Sequence, residues 1–321
     1  MHIRSRLVVL TLMLLAGALL AASFLLTPSK PIKLGTNLWP GYEPLYVARE
    51  QGILSSDDVA LVELLSASEV MRAFRNGAID AAALTLDEVI NLRVLGLRPV
   101  IVQVTNISMG ADVILAQPGI TSFEELKGKR VGVEATALGA YMLSRALELN
   151  AMSLDDIDVV HLEVNEHAQT FRAGQVDAVV TFDPVPQQIG EDQSVQLFDS
   201  TQIPGEIVDV LVVRERMLAE RKDTIRQLIS AWHEVLAFID DNPDASARMM
   251  SERLKVTPME VKHSLQGLML PDQKASLELF DGNPSPLQQQ VERLAETMLR
   301  DDLLDDIPDL KGVVYGGYPD A

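Results

Sequence analysis

The chain has 321 residues, of which 47% are hydrophobic, with 27 Lys and Arg against 46 Asp and Glu and no cysteine. That length predicts two domains, each large enough for its own core, and the formal charge of -19 argues against nucleic-acid binding, because phosphate backbones would be repelled. The absence of cysteine excludes disulfides, cysteine-ligated zinc, thiol nucleophiles and a lipidated N-terminal cysteine.

The first feature in chain order is an apolar run over Leu7–Leu26, preceded by Arg4 and Arg6. A positive flank followed by such a run is typical of an export signal. As a helix the run would be about 30 Å long, which is enough to span a bilayer. Small residues at 21–23 favour cleavage, whereas the apolar residues that continue to Leu26 favour an uncleaved anchor. Residues 1–30 are therefore a signal peptide or an inner-membrane anchor, and either predicts a periplasmic protein.

Two later stretches echo each other at an offset of 97 residues, Phe74–Ala81 (FRNGAIDA) and Phe171–Ala178 (FRAGQVDA). Five of their eight positions are identical, and a sixth exchanges Ile for Val. The same offset pairs Lys33 with Arg130, and a Thr-x-Asp follows each copy. We interpret the stretches as equivalent parts of two related lobes.

Each copy predicts a strand, a loop and a helix, followed by a second helix, a glycine stop and another strand. The predicted elements are, in chain order, the strand Ile32–Thr36, the helix Glu43–Glu50, the strand Ile79–Leu84, the strand Arg130–Val133, the helix Leu138–Leu149 and the strand Val176–Val180. Alternating strands and helices predict parallel α/β sheets.

In open α/β sheets, ligands bind outside the carboxyl ends of the strands. The loops that follow the predicted strands at those ends are Asn37–Glu43, Thr85–Asp87, Glu134–Gly139 and Thr181–Pro184. Two equivalent loops from each lobe are therefore expected to face each other across one cleft.

Three sequence features resemble a known family. They are the opening KLGTNLWPGYEPLYVA at Lys33–Ala48, the segment LKGKRVGV at Leu126–Val133, and the Gly-x-[Ile/Val]-Asp-Ala pieces at Gly77 and Gly174. Together they resemble the nitrate/sulfonate/taurine-type periplasmic substrate-binding proteins of ABC importers, which share the fold of thiamine-pyrimidine-precursor proteins. The resemblance runs from about Lys33 to Val213 and is a poor guide to the ligand.

This resemblance implies an α/β, two-lobed type II periplasmic-binding-protein fold with two hinge crossings. The first lobe would comprise residues 31–107 and 210–321, and the second lobe residues 108–209. The crossings would lie near Ser108–Asp112 and Gly205–Val210. The stretch Thr105–Asp112, which includes the first crossing, is polar and contains glycine, and the turn signal Ile203-Pro204-Gly205 lies at the start of the second.

The predicted cleft contains aromatic, polar and acidic candidates for ligand contacts. The candidate ligand-binding residues are Asn37, Trp39, Tyr42, Glu43, Thr85, Asp87, Glu134, Thr136, Thr181, Asp183 and Asp209. Trp39 and Tyr42 either enclose the ligand or pack against their own lobe. The backbone N–H groups around Glu134–Ala137 could hold an anionic oxygen, or Thr136 could simply cap the helix.

Five of these candidates are acidic: Glu43, Asp87, Glu134 and Asp183 on the loops, and Asp209 at the second hinge. Uncompensated carboxylates would repel an anion such as nitrate. They favour a nitrogen-containing ligand such as an amine, an aminosulfonate or a pyrimidine precursor. The alternative is that some of them cap helices or point to water.

The remaining motifs predict no cofactor and no metal. None of the five histidines forms a helical i, i+4 pair, and we expect His161 at a strand end and His167 on a surface helix. The sequence also lacks a P-loop, a nucleophile elbow and a dinucleotide fingerprint.

The hypothesis favoured by these observations is the solute-binding component of an ABC importer, a monomer that captures a small molecule and presents it to permease and ATPase subunits. A membrane-anchored sensor acting on a separate signalling partner is the alternative. Pyrimidine-precursor synthases of the same fold carry a cysteine-rich metal motif that this chain lacks, so we expect no enzyme. A LysR-type regulator would need a basic helix-turn-helix before Lys33, and the sequence contains none there.

Overall fold

The computed structural model describes residues 30–134 and 137–317. The strands in these ranges are β1 (Ile32–Thr36), β2 (Val59–Glu63), β3 (Ala81–Thr85), β4 (Pro99–Ser108), β5 (Asp112–Ala116), β6 (Arg130–Val133), β7 (Asp158–His161), β8 (Ala178–Phe182), β9 (Val195–Asp199), β10 (Val208–Arg214) and β11 (Leu268–Met269). The helices are α1 (Glu43–Glu50), α2 (Ala67–Arg75), α3 (Leu86–Val94), α4 (Ala137–Leu149), α5 (Val164–Arg172), α6 (Val185–Ile189), α7 (Met217–Glu220), α8 (Lys222–Asp241), α9 (Pro243–Leu254), α10 (Pro258–Gln266), α11 (Gln273–Phe280) and α12 (Pro286–Arg300).

Two sequence predictions lie outside the described residues: the export segment Leu7–Leu26 and the candidate ligand contact Thr136. Across residues 30–134 and 137–317, the structure has no helix whose length and hydropathy would allow it to cross a membrane.

Sheet one has six strands in the order β11-β4-β10-β3-β1-β2. β1 pairs in parallel with β2 and β3, as the alternation of strands and helices predicts. β10 lies between β3 and β4 and is antiparallel to both, and β11 is antiparallel to β4.

Sheet two has five strands in the order β7-β6-β8-β5-β9, with β6 parallel to β7 and β8. β5 is antiparallel to β8 and β9. The prediction of parallel sheets is therefore wrong for β5, β10 and β11. Parallel neighbours need a long crossover, usually through a helix. In contrast, β5 follows a strand of sheet one and β10 follows a strand of sheet two, so each enters its own sheet directly from the other sheet.

The sequence repeat is also a structural repeat, which relates β1–β3 to β6–β8. Leu34 is paired with Ala81 between β1 and β3, and Val131 is paired with Ala178 between β6 and β8. These pairs are again 97 residues apart. The order β2-β1-β3-β10 in sheet one therefore matches β7-β6-β8-β5 in sheet two.

The repeated motif forms the connection between a helix and the following strand, and its role is structural. Gly77 has a φ of 76° and its equivalent, Gly174, a φ of 66°, in the left-handed region that glycine adopts without strain. In the first copy the Asp80 carboxylate accepts a hydrogen bond from the backbone N–H of Lys33 at 3.2 Å. In the second, Asp177 accepts the equivalent bond at 2.9 Å. The motif is therefore explained by folding.

Hydrophobic cores cover both faces of each sheet. In β3, Ala81 and Ala83 face one core while Ala82 and Leu84 face another, as expected from the two-residue period of a strand. β8 is likewise divided between two cores. Burial on both faces explains why these strands appear in the sequence as continuous apolar runs.

Within the described residues the chain passes between the sheets twice, through residues 109–111 and 200–207. The first link lies within the predicted crossing Ser108–Asp112, and the second overlaps the predicted crossing Gly205–Val210 at residues 205–207. The division into lobes at 107/108 and 209/210 stays a prediction, and the membership of the two sheets supports it, since β5–β9 all belong to sheet two.

Candidate ligand-binding cavity

A cavity lies between the two sheets, at the carboxyl ends of their parallel strands. It has a volume of about 540 Å³, part of which is open to solvent. Its walls are formed by Asn37, Trp39, Tyr42, Ala67, Thr85, Glu88, Asp112, Glu134, Leu138, Gly139, Met142, His167, Val180, Thr181, Phe182 and Asp209. All four loops that the sequence places at the cleft contribute to it.

The loop after β1 supplies Asn37, Trp39 and Tyr42. A short 3-10 turn over Pro40–Tyr42 directs it back into α1. A Cβ added at Gly41 would overlap the side-chain amide of Asn106 and lie 2.5 Å from Trp39 Nε1. Glycine is thus required there for close packing beneath the indole.

Sheet two supplies the opposite wall through the loops after β6 and β8. Gly139, in the first turn of α4, lies so close to the loop after β6 that an added Cβ would be 2.7 Å from the Glu134 carbonyl oxygen. Thr181 and Phe182 end β8, and Thr181 Oγ1 lies 3.0 Å from His167 Nδ1 on α5.

Contacts between the two walls close the cavity. Glu134 Oε1 accepts hydrogen bonds from the backbone N–H of Ser68, at 3.2 Å, and from its hydroxyl, at 3.3 Å. The Trp39 and Phe182 rings meet edge to face with centroids 5.4 Å apart. The structure therefore represents a closed form.

The structure brings together seven of the eleven candidate residues: Asn37, Trp39, Tyr42, Thr85, Glu134, Thr181 and Asp209 all line the cavity. Tyr42 donates a hydrogen bond from its hydroxyl to Asp209, which links the loop after β1 to the start of β10. Thr136 lies outside the described residues.

Three acidic candidates, Glu43, Asp87 and Asp183, do not line this cavity. Glu43 is buried against Arg253, whose Nε lies 3.2 Å from both of its carboxylate oxygens. Asp87 is buried in the first turn of α3. Asp183 accepts a hydrogen bond from Gln187 at 2.9 Å and faces a neighbouring cleft. Their roles as ligand contacts remain predictions.

Sequence reasoning missed three polar residues of the wall: Glu88, Asp112 and His167. The prediction that His167 lies on a surface helix is wrong, because the side chain is fully buried. The spacing of Val164, His167, Ala168 and Phe171 was a usable signal, since i, i+3, i+4 and i+7 place them on one helix face. The sequence does not distinguish Glu88 from an ordinary helix-capping residue, and it does cap α3, where it accepts a hydrogen bond from Thr85 N at 3.0 Å.

Burial dominates the electrostatics of the cavity, since it disfavours charged forms. It raises the pKa of Asp112 and of Glu134 to about 7. It also raises the pKa values of Glu88 and Asp209 well above their usual range, and the charge of Asp87 raises that of Glu88 further. Burial lowers the pKa of His167 to about 4, so its imidazole is neutral at pH 7.

Several buried polar atoms in this wall have no hydrogen-bond partner in the described part of the chain: Trp39 Nε1, Glu88 Oε1, Asp112 Oδ2 and His167 Nε2. Buried polar groups are normally paired, and leaving one unpaired costs about 1–3 kcal/mol. These atoms are therefore available to a ligand. No group of three or more His, Asp or Glu side chains within residues 30–134 and 137–317 is arranged to hold a metal ion.

Comparisons with solved structures identify the class of fold. The alkanesulfonate-binding protein SsuA from Xanthomonas axonopodis pv. citri matches 90% of this chain and 99% of its own, with a TM-score of 0.76 and 16% identity. The periplasmic nitrate-binding protein NrtA from Synechocystis PCC 6803 matches 90% of this chain and 87% of its own, with a TM-score of 0.71 and 15% identity. The fold is therefore that of the periplasmic binding proteins.

The sequence itself assigns the family. The chain belongs to the NMT1-like family, whose sequence model matches residues 27–254. A Brucella abortus (strain 2308) protein named as a binding protein is 27% identical over 154 residues, which is 46% of this chain and 47% of the relative. The chain thus spans about half the length of the curated relatives it matches.

Proposed function

We propose that this protein is the periplasmic solute-binding component of an ABC-type importer and captures a small nitrogen- or sulfur-containing organic molecule. The observation that carries the proposal is the closed cavity between the two sheets, with buried polar atoms left unpaired in its wall. A cavity lined from both sheets and bridged by contacts between its two walls is suited to capturing a small solute. Structural neighbours named for sulfonate and nitrate binding support the same role.

Transport by this protein would rest on closure. An open form admits the ligand, and a ligand that contacts both walls binds the closed form more tightly, which shifts the population toward it. The Glu134–Ser68 hydrogen bonds and the Trp39–Phe182 contact are the interactions that closure forms. The links at 109–111 and 200–207 are the natural hinges.

The partners in this proposal are permease and ATPase subunits, which would receive the closed form from a monomeric binding protein. Export would depend on Leu7–Leu26, either as a cleaved signal or as an inner-membrane anchor. An anchored protein could also act as a sensor, and mass spectrometry of the N-terminus of the cellular protein distinguishes cleavage from anchoring.

The proposal is tested by thermal melting of the full-length protein in mild detergent, with a panel of amines, amidines, sulfonates, nitrate and pyrimidines. A ligand at a hundredfold excess over its Kd stabilises the protein by about 2.7 kcal/mol, which is readily detected. Trp39→Ala should abolish the stabilisation, whereas Leu65→Ala, on the surface, should retain it. Failure of every compound to stabilise the wild-type protein would contradict the proposed function.

A further inference from the structure

The cavity wall is strongly acidic. Among the described residues, those that line it include four carboxyl side chains, Glu88, Asp112, Glu134 and Asp209, and no Lys or Arg. Each of the four has at most 3% of its surface exposed. His167, the remaining ionisable group apart from Tyr42, is neutral at pH 7 because burial lowers its pKa. The wall therefore contains no positive charge to balance an anionic ligand.

At the N-termini of α2, α3 and α5, a backbone N–H group is already satisfied by the chain itself. Backbone N–H groups at a helix N-terminus are a common binding site for an anion. At α2, the N–H of Ser68 donates to Glu134. At α3, the Glu88 carboxylate accepts from Thr85, and at α5 the Glu166 carboxylate accepts from Glu163 at 3.1 Å. At these three helices an anion would have to displace a carboxylate.

The unpaired atoms in the wall include two carboxyl oxygens, Glu88 Oε1 and Asp112 Oδ2, which can only accept hydrogen bonds when their carboxyls are ionised. Trp39 Nε1 is a donor, and His167 Nε2 donates or accepts according to its tautomer. A ligand that complements this wall is rich in donors and positively charged.

We propose that the cavity binds an organic cation whose ammonium or amidinium group lies against Glu88 and Asp112, and that it excludes sulfonates and nitrate. This inference rests on the proposed solute-binding function and narrows its ligand class. The cation would satisfy acceptors that are otherwise buried without partners, and it would offset the mutual repulsion of the carboxylates. The Trp39 ring offers an aromatic surface for the remainder of the ligand.

The test uses ligand sets that differ in charge but hardly in shape. The full-length protein in mild detergent is titrated with acetamidine, acetamide and acetate, with benzamidine, benzamide and benzoate, and with a series of primary amines, taurine, nitrate, Mg²⁺ and Zn²⁺. We expect one or more of the organic cations to stabilise the protein. The neutral isostere of that cation should bind at least tenfold more weakly, and the corresponding anion should not bind. Binding of only anions, neutral compounds or metal ions would overturn the inference while leaving the solute-binding function intact. Binding of no compound would contradict both.

Two isosteric variants identify the carboxyls responsible. Glu88→Gln and Asp112→Asn should each weaken binding of the cation at least tenfold, because each replaces a carboxylate acceptor by an amide. Glu296→Gln removes one negative charge from an exposed position on α12 and should leave the affinity unchanged. Circular dichroism and melting of the unliganded variants confirm that they fold. Unchanged cation affinity in both cavity variants would overturn the assignment to Glu88 and Asp112.

Discussion

Without a ligand, the closed form should lose stability relative to the open form as the pH rises from 5 to 8. Asp112 and Glu134 have pKa values of about 7 in the closed cavity, against ordinary values of 3.8 and 4.5 when exposed to water. The closed form therefore holds more protons than the open form across this range, and stability falls as pH rises wherever the compact state binds more protons. A cation inside the cavity should cancel the effect.

The magnitude follows from the pKa differences. At about 1.4 kcal/mol per pKa unit, the two carboxyls together destabilise the unliganded closed form by about 5 kcal/mol between pH 5 and pH 8. His167 acts in the opposite direction, because burial lowers its pKa to about 4 in the closed form. Between pH 5 and pH 8 it therefore stabilises the closed form relative to the open form by about 2 kcal/mol. The net loss of about 3 kcal/mol changes the ratio of closed to open protein roughly a hundredfold. The other charged and titratable groups facing these side chains are Tyr42, Asp87, Glu88, Glu163, Glu166, Asp183 and Asp209.

Small-angle scattering of the unliganded protein measures the change directly. The radius of gyration should rise from pH 5 to pH 8 and fall again when a bound cation closes the lobes. Asp112→Asn should remove about 2.5 kcal/mol of the pH effect, its own share, whereas Glu296→Gln should leave the effect unchanged. A radius that is constant or falls as pH rises would refute the reasoning, since it would mean that the carboxyls are ionised in the closed form.

Three further predictions concern single residues. The chain has two tryptophans, and Trp232 is buried in a core, so ligand binding should change the fluorescence emission of Trp39 alone. Trp39→Phe should therefore abolish the fluorescence change. Gly41→Ala should weaken ligand binding at least tenfold in calorimetry, because its Cβ would displace the indole above it, with a loss of about 1–3 kcal/mol in the free energy of unfolding. Gly77→Ala and Gly174→Ala should each lower the free energy of unfolding, measured in urea, by about 1 kcal/mol, because alanine is strained at the positive φ of these positions. Ligand affinity should be unchanged in both variants. A loss of affinity would contradict a purely structural role for the repeated motif.

The sequence was sufficient to predict where the cavity lies. The repeat at an offset of 97 residues identified two equivalent strand–helix units, and the rule that ligands bind at the carboxyl ends of parallel strands selected the four loops that form its walls. These inferences succeeded because they depend on local patterns: a glycine with positive φ, a continuous apolar strand and a polar loop after it.

The direction of β5 and β10 and the place of Asp112 in the cavity wall could not be predicted in the same way. Both depend on how the chain passes between the sheets, which no local pattern records. Asp112 and Asp209 belong to the strands that begin just after those links. Glu43 looked equally suitable as a ligand contact in the sequence, but Arg253, more than two hundred residues later, neutralises it.

The placement of carboxyls at helix N-termini offers a physical way for one fold to serve ligands of opposite charge. A cleft rimmed by helix N-termini favours anions through its free N–H groups, and neighbours of this fold include proteins named for binding sulfonates and nitrate. In this chain Glu88 and Glu134 accept hydrogen bonds from such N–H groups themselves. The positive ends of α3 and α2 therefore stabilise the protein's own carboxylates. Among the described residues, the cavity wall is left with four carboxyl groups and no Lys or Arg. In the cation site that we propose, carboxyls that accept from the N-termini of α2 and α3 would reverse the preference of the cleft while its backbone stays the same.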